Sequence, residues 1–311
     1  MKQDKRKAYT LKASIHTLQI DLPNGIGADK VTNDIEEAFA PTIRSDGTGT
    51  VIINPNRVDK DCFSWSEFCK QLDFLLETTD ITDFVVKRCD LRLDTYGAKD
   101  YKRYAKLNKL LISLMATAYT TKNCYISRNM WTDEQISCAI KNPYFQVENY
   151  NREYKNFVTS NCIEIATSRF EERSMAKAFN QHDPSTSEQL NNIRTEFLVA
   201  WKKRWEKALE KFPEVCDRYN TELVKIWYDE QSKTNETRFR TVNEFVRFYQ
   251  NNIFCRKQLV DLLTRLGYTE AQAKELAGKW KTRYKFEWFS KKDVNYAAKE
   301  IHRATEEFFE R

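Results

Sequence analysis

The chain is poor in histidine, glycine and proline: its 311 residues hold three His, seven Gly and six Pro. His16, His182 and His302 form no His-x-His pair, which argues against a metal centre built on paired imidazoles. A cation here is expected to rest on carboxylates. So few glycines and prolines argue against long loops and against a solenoid of tight turns. There is no G-x-x-x-x-G-K-[ST] or G-x-G-x-x-G, so an ATPase or a dinucleotide enzyme is not indicated. Nucleophile-elbow and cysteine-protease signatures are also missing. Membrane-spanning length, about 18 apolar residues, is not reached anywhere. The basic start at residues 1–7 is not followed by the apolar core of a signal peptide. None of the eight cysteines forms a Cys-x-x-Cys pair, so a zinc ribbon is not expected and a reducing cytoplasmic setting is.

What is present is a globular composition, 41% hydrophobic with 13% aromatic, and a mild net charge of +6. That charge permits nucleic-acid binding without demanding it, so its distribution matters more than its sum.

Arg88-Cys89-Asp90-Leu91-Arg92-Leu93-Asp94 alternates in steps of two. The pattern predicts a strand with Cys89, Leu91 and Leu93 on one face and two carboxylates with two guanidiniums on the other. Carboxylates can hold a divalent cation and arginines can hold phosphate, a combination suited to phosphodiester chemistry. A solvated outer strand with self-neutralising charges is the alternative. Asp90 and Asp94 are roughly 13 Å apart along an extended strand, so one ion needs a further oxygen from a neighbour. Glu164, opposite in phase to Ile163 and Ile165, is a candidate.

Strands are also expected at 13–21, 49–53, 124–128, 144–150 and 161–167, and helices at 30–40, 100–119 and 170–179. Ser64-x-x-Glu67 opens a helix carrying Phe68, Leu72, Leu75 and Leu76. After Asp183-Pro184 the pattern becomes helical. Ser185-x-x-Glu188 caps a stripe that runs to Pro213, and Gly267 and Thr269-x-x-Gln272 separate a helix at 256–266 from the last long one. The expectation is an α+β domain over 1–182 followed by a helical domain over 183–311.

Fifteen tyrosines supply candidate nucleophiles. Tyr125 (with Arg128 nearby), Tyr144, Tyr150 and Tyr154 lie nearest the acidic strands in sequence. Towards the C-terminus, Lys279, Lys281, Arg283, Lys285, Lys291 and Lys292 are interleaved with Trp280, Tyr284, Phe286 and Trp288. The cations suit a DNA backbone, while the aromatics read as core.

Together these segments resemble the Rep_trans family, the rolling-circle replication initiators of staphylococcal-type plasmids and related relaxases. The resemblance rests on Val51-Ile52-Ile53-Asn54-Pro55-Asn56, Arg88-x-Asp90-x-x-x-Asp94, Tyr150-Asn151-Arg152, Cys162-Ile163-Glu164-Ile165 and the aromatic-basic stretch 279–288. It implies an antiparallel-sheet domain with helices and a helical DNA-binding C-terminal part. It implies origin nicking by a tyrosine that stays joined to the 5′ phosphate, with Mg²⁺ or Mn²⁺ at Asp90, Asp94 and Glu164 and phosphate steadied by Arg88 and Arg92. It further implies double- and single-stranded DNA as partners, a homodimer and recruitment of a host helicase. An ungapped match places Ser137 where the family has its tyrosine. With an insertion, Tyr125-Ile126-Ser127-Arg128 is the nearest fit, and Cys162 stands where the family has arginine before the glutamate. A descendant that kept the scaffold and lost the nucleophile, acting as a DNA-binding regulator, repressor or inhibitor, is the rival expectation.

Overall fold

The computed structural model describes residues 10–22, 42–43, 49–55, 62–79, 81, 83–96, 101–120, 125–126, 138–151, 168–179, 185–233 and 237–311. The architecture is α+β. Among the described residues, eight strands form one antiparallel sheet: β1 (Thr10–Leu22), β2 (Thr42–Ile43), β3 (Gly49–Ile53), β4 (Val85–Tyr96), β5 (Tyr125–Ile126), β6 (Cys138–Lys141), β7 (Phe145–Asn151) and β8 (Ser168–Met175). Their order is β2-β3-β1-β4-β8-β7-β6-β5, which puts β4 in the middle.

The sheet has one apolar and one charged face. Ile15, Leu18 and Ile20 of β1, Cys89, Leu91 and Leu93 of β4 and Val147 of β7 are fully buried on the apolar side. Helices α1 (Trp65–Thr79) and α2 (Tyr101–Tyr119) belong to this part of the chain. As the capping box predicts, Ser64 Oγ accepts from the Glu67 backbone N–H at the start of α1. Phe68, Leu72, Leu75 and Leu76 are its buried positions.

From 185 onward every regular element is helical among the described residues: α3 (Thr186–Thr195), a π-turn (Glu196–Ala200), α4 (Trp201–Leu209), α5 (Phe212–Gln231), α6 (Val242–Phe248), α7 (Arg256–Arg265), α8 (Glu270–Tyr284) and α9 (Lys291–Glu310). The Ser185 and Thr269 boxes both form, and Gly267 adopts φ 98° after α7, where a Cβ would be strained.

Two apolar clusters result. The larger joins the sheet to α1, α2, Ile193 of α3, Phe197, Trp201 of α4, Val215 and Tyr219 of α5, and Val294, Ile301 and Phe308 of α9. The smaller holds Leu223 of α5 with Phe245, Leu259, Leu262, Trp280 and Phe286. One core thus takes Val215 and Tyr219 of α5 and the other takes Leu223, and the final helix returns to the sheet.

Two expectations change. Residues 170–179 are not a helix: β8 runs through Met175 and only a 3-10 turn, Ala176–Ala178, follows. The last long helix is two, because Lys285 takes a left-handed φ of 51° and ends α8, and Ser290 opens α9 with a capping box. Ser290→Ala removes the acceptor for the Asp293 N–H and is expected to cost about 1 kcal/mol, read as a fall in the urea midpoint. The expected helix at 30–40 and strand at 161–167 lie outside the described residues.

Candidate metal centre

The charged row of β4 is internal, not solvated. Asp90, Arg92 and Asp94 are 0%, 3% and 1% exposed. Buried charges persist only when paired, and the strand register supplies the partners. Asp90 lies opposite Arg173 of β8, Arg92 opposite Glu171 and Asp94 opposite Arg169. On the next strand out, Glu148 of β7 pairs in register with Glu171.

The contacts follow from that lattice. Arg169 grips Asp94 with both arms, Nε to Oδ1 at 2.7 Å and Nη2 to Oδ2 at 2.8 Å. Arg92 Nε stands 3.4 Å from the same carboxylate. Arg88 binds Asp90 through Nε at 2.8 Å and through Nη2. Arg173 Nε lies 3.0 Å from Asp90 Oδ2, close enough for an ion pair but misaligned for a hydrogen bond. Its Nη2 donates to Glu171 at 3.1 Å and lies 3.8 Å from Glu148. Among the described residues the network links Arg88, Arg92, Arg169 and Arg173 with Asp90, Asp94, Glu148 and Glu171.

His16 enters by a backbone irregularity. Ile15 pairs with Leu91 and Thr17 with Asp90, so His16 is the extra residue of a β-bulge. The bulge sets two consecutive residues, His16 and Thr17, between the core residues Ile15 and Leu18. It brings the imidazole to Glu171, with Nδ1 3.5 Å from Oε1. One ligand atom each from His16, Asp90 and Glu171 lies within 4.8 Å of the others.

The donor chemistry suits a cation, although both carboxylates are also met by guanidiniums. Burial lowers the His16 pKa to about 4, so the ring is neutral and offers a lone pair at physiological pH. Burial also holds the Asp90 carboxyl above its ordinary range, against the pull of Arg88 and Arg173. For Arg88, burial would lower the pKa, but the hydrogen bond and charge of Asp90 outweigh it and the net shift is upward. One neutral imidazole and two carboxylates are donors that a divalent cation accepts.

The sequence-based candidates are thus sorted. Asp90 joins the cluster. Asp94 is engaged by Arg169 and Arg92 and stands outside it, as the spacing along the strand requires. Arg88 is partly exposed, whereas Arg92 is enclosed and donates to Ser14. Glu164 and Arg128 lie outside the described residues. Tyr125 is on β5, at the sheet edge and four strand positions from β4, roughly 19 Å at about 4.8 Å per step. Tyr150 pairs in register with Arg169, two strands from β4. Lys279, Lys281, Arg283, Lys285, Lys291 and Lys292 are all exposed. Trp280 and Phe286 are core, as the sequence indicates.

His16 and Glu171 were not among the candidates. Two polar residues in succession between Ile15 and Leu18 were a legible sign of a bulge. Arg169-x-Glu171 has the arginine-before-glutamate spacing that Cys162-x-Glu164 lacks.

Among the described residues, no helix is long and apolar enough to cross a membrane. No family model matches the chain, and no curated protein matches it significantly. Among solved structures, a rolling circle replication initiator protein from Geobacillus stearothermophilus aligns with 53% of this chain and 75% of its own, at 18% identity and a TM-score of 0.31.

Proposed function

We propose that the charged face of the sheet is a divalent-cation site for DNA phosphodiester chemistry, and that the protein is a rolling-circle initiator-like nickase acting through a tyrosine. The convergence of His16, Asp90 and Glu171 carries this reading. A bound Mg²⁺ or Mn²⁺ would supply Lewis-acid polarisation of a phosphoryl oxygen. His16, Asp90 and Glu171 would hold it, and Arg88, the most exposed of the four guanidiniums, would steady the phosphate. The exposed lysines and arginines of α8 and the start of α9 would bind the flanking duplex.

The two candidate tyrosines differ in strand position. Tyr150 is on β7, next to β8 and in register with Arg169, and Tyr125 is on β5, three strands beyond β8. A pool of labelled single-stranded oligonucleotides with Mn²⁺ tests the proposal without knowledge of the origin. The wild type should form a covalent protein–DNA adduct, and Asp90→Asn should reduce it by about a hundredfold or more. Either Tyr125→Phe or Tyr150→Phe should abolish it and thereby name the nucleophile.

The second reading is a scaffold that binds DNA without cutting it. The full pairing of Asp90 with Arg88 and Arg173 favours it. Salt-dependent binding with no adduct, under conditions where Mn²⁺ is bound, would select this reading and end the nickase proposal.

A further inference from the structure

Cys216 and Cys255 are 39 positions apart in sequence, yet their sulfurs lie 4.0 Å from each other across the contact of α5 with α7. Cys255 is the N-cap of α7, where its Sγ accepts from the Gln258 backbone N–H at 3.4 Å. A helix N-terminus favours negative charge on such a sulfur. Cys255 is half-buried and Cys216 is 9% exposed, and both line a cavity of about 310 Å³ together with Asp217, Lys257, Asp261 and Arg265. Lys257 is the neighbouring cation. Arg265 is engaged by Asp217 and by Asp261.

We infer that Cys255 and Cys216 form a peroxide-sensitive dithiol that closes to a disulfide and ties α5 to α7. The Cys255 thiolate attacks one oxygen of a hydroperoxide. The S–O bond forms as the O–O bond breaks, sulfur is oxidised to sulfenic acid, and the second oxygen leaves as hydroxide or alkoxide and takes up a proton. The Cys216 thiol then attacks the Cys255 sulfur. The S–S bond forms, the S–O bond breaks, and the departing hydroxide leaves as water with the Cys216 proton.

The division of roles follows from the geometry. Cys255 Sγ also accepts from the Gln258 N–H at the start of α7, which makes it the better thiolate and the acceptor of the pair; these bonds pull the Cys255 pKa down, while its bond to Cys255, together with burial, raises that of Cys216. Cys69, partly buried and raised to about 11, is an internal control. The link would fasten α5, whose Val215 and Tyr219 belong to the sheet core, to α7, which belongs wholly to the helical core.

The test uses the full chain, reduced and then exposed to stoichiometric hydrogen peroxide. Non-reducing digestion with trypsin should give the peptides 212–218 and 248–256 joined by a disulfide. Cys216→Ser should instead accumulate a dimedone adduct on Cys255, and Cys255→Ser should leave Cys216 reduced. Before oxidation, iodoacetamide at pH 7 should label Cys255 at least about tenfold faster than Cys69. The inference fails if peroxide leaves both thiols open to alkylation in the wild type, or if Cys216 oxidises as fast in Cys255→Ser as in the wild type.

Discussion

Arg169→Ala is expected to destabilise the protein by about 3–5 kcal/mol, among the largest effects of any single substitution in the sheet. Arg169 and Asp94 are each 1% exposed and meet through two parallel hydrogen bonds of 2.7 and 2.8 Å. Removing the guanidinium leaves a carboxylate inside the protein, with Arg92 Nε 3.4 Å away and no bidentate partner among the described residues. The penalty comes from that stranded charge more than from the lost attraction. The double variant Arg169→Met with Asp94→Leu, which removes both charges and keeps side-chain volume, should therefore recover most of the loss. Urea unfolding of the three proteins checks it. A cost under about 1 kcal/mol for Arg169→Ala would mean that water reaches the pair and that the charged face is not an interior.

Glu172→Gln should stabilise the protein, and only at high pH. Glu172 is on the apolar side of β8 and 1% exposed, and it accepts a hydrogen bond from Trp205 Nε1 at 2.6 Å. Burial raises its pKa from 4.5 to about 7, with Trp205 and Arg204 pulling the other way. The folded state therefore keeps a proton that the unfolded chain releases near 4.5. Stability is complete below that value and falls as pH rises through 7. The loss above pH 7 is about 3 kcal/mol at 1.36 kcal/mol per pKa unit. Glutamine keeps an acceptor for Trp205 and has nothing to ionise. The melting temperature of Glu172→Gln should exceed the wild type at pH 8 by several degrees and match it near pH 4.5. A gain of equal size at both values would show that ionisation is not the cause.

The apolar half of this fold was legible because burial and period coincide. Leu91 and Leu93 alternate with charge, Phe68, Leu72 and Leu76 recur at helical spacing, and Ser64, Ser185 and Thr269 carry cap chemistry next to them. The charged half was legible in β4 but not in its depth. A row of Arg and Asp reads as an outer strand unless its countercharges are known, and these come from β8, more than seventy residues later. That strand was itself concealed. Of its three side chains facing the helices, Phe170, Glu172 and Ser174, two are polar, so no apolar alternation marks it. Glu172 is satisfied by Trp205, and Ser174 by Trp201 and Glu196, partners no local pattern announces. The same limit hid half of the candidate metal cluster. Asp90 could be named from its strand, but Glu171 required β8 and His16 required a bulge in β1. Asp94 looked equivalent to Asp90 in sequence; both face a cross-strand arginine, and the His16 bulge with Glu171 is what singles out Asp90.

Manganese binding to the intact chain, followed by electron paramagnetic resonance as free Mn²⁺ is titrated, tests the central claim most directly. One saturable Mn²⁺ per chain is expected, lost in Glu171→Gln and in His16→Ala and retained in Glu275→Gln, whose carboxylate meets Lys279 on the surface of α8. Absence of a saturable site in the folded wild type, or a site that survives both Glu171→Gln and His16→Ala, would contradict it.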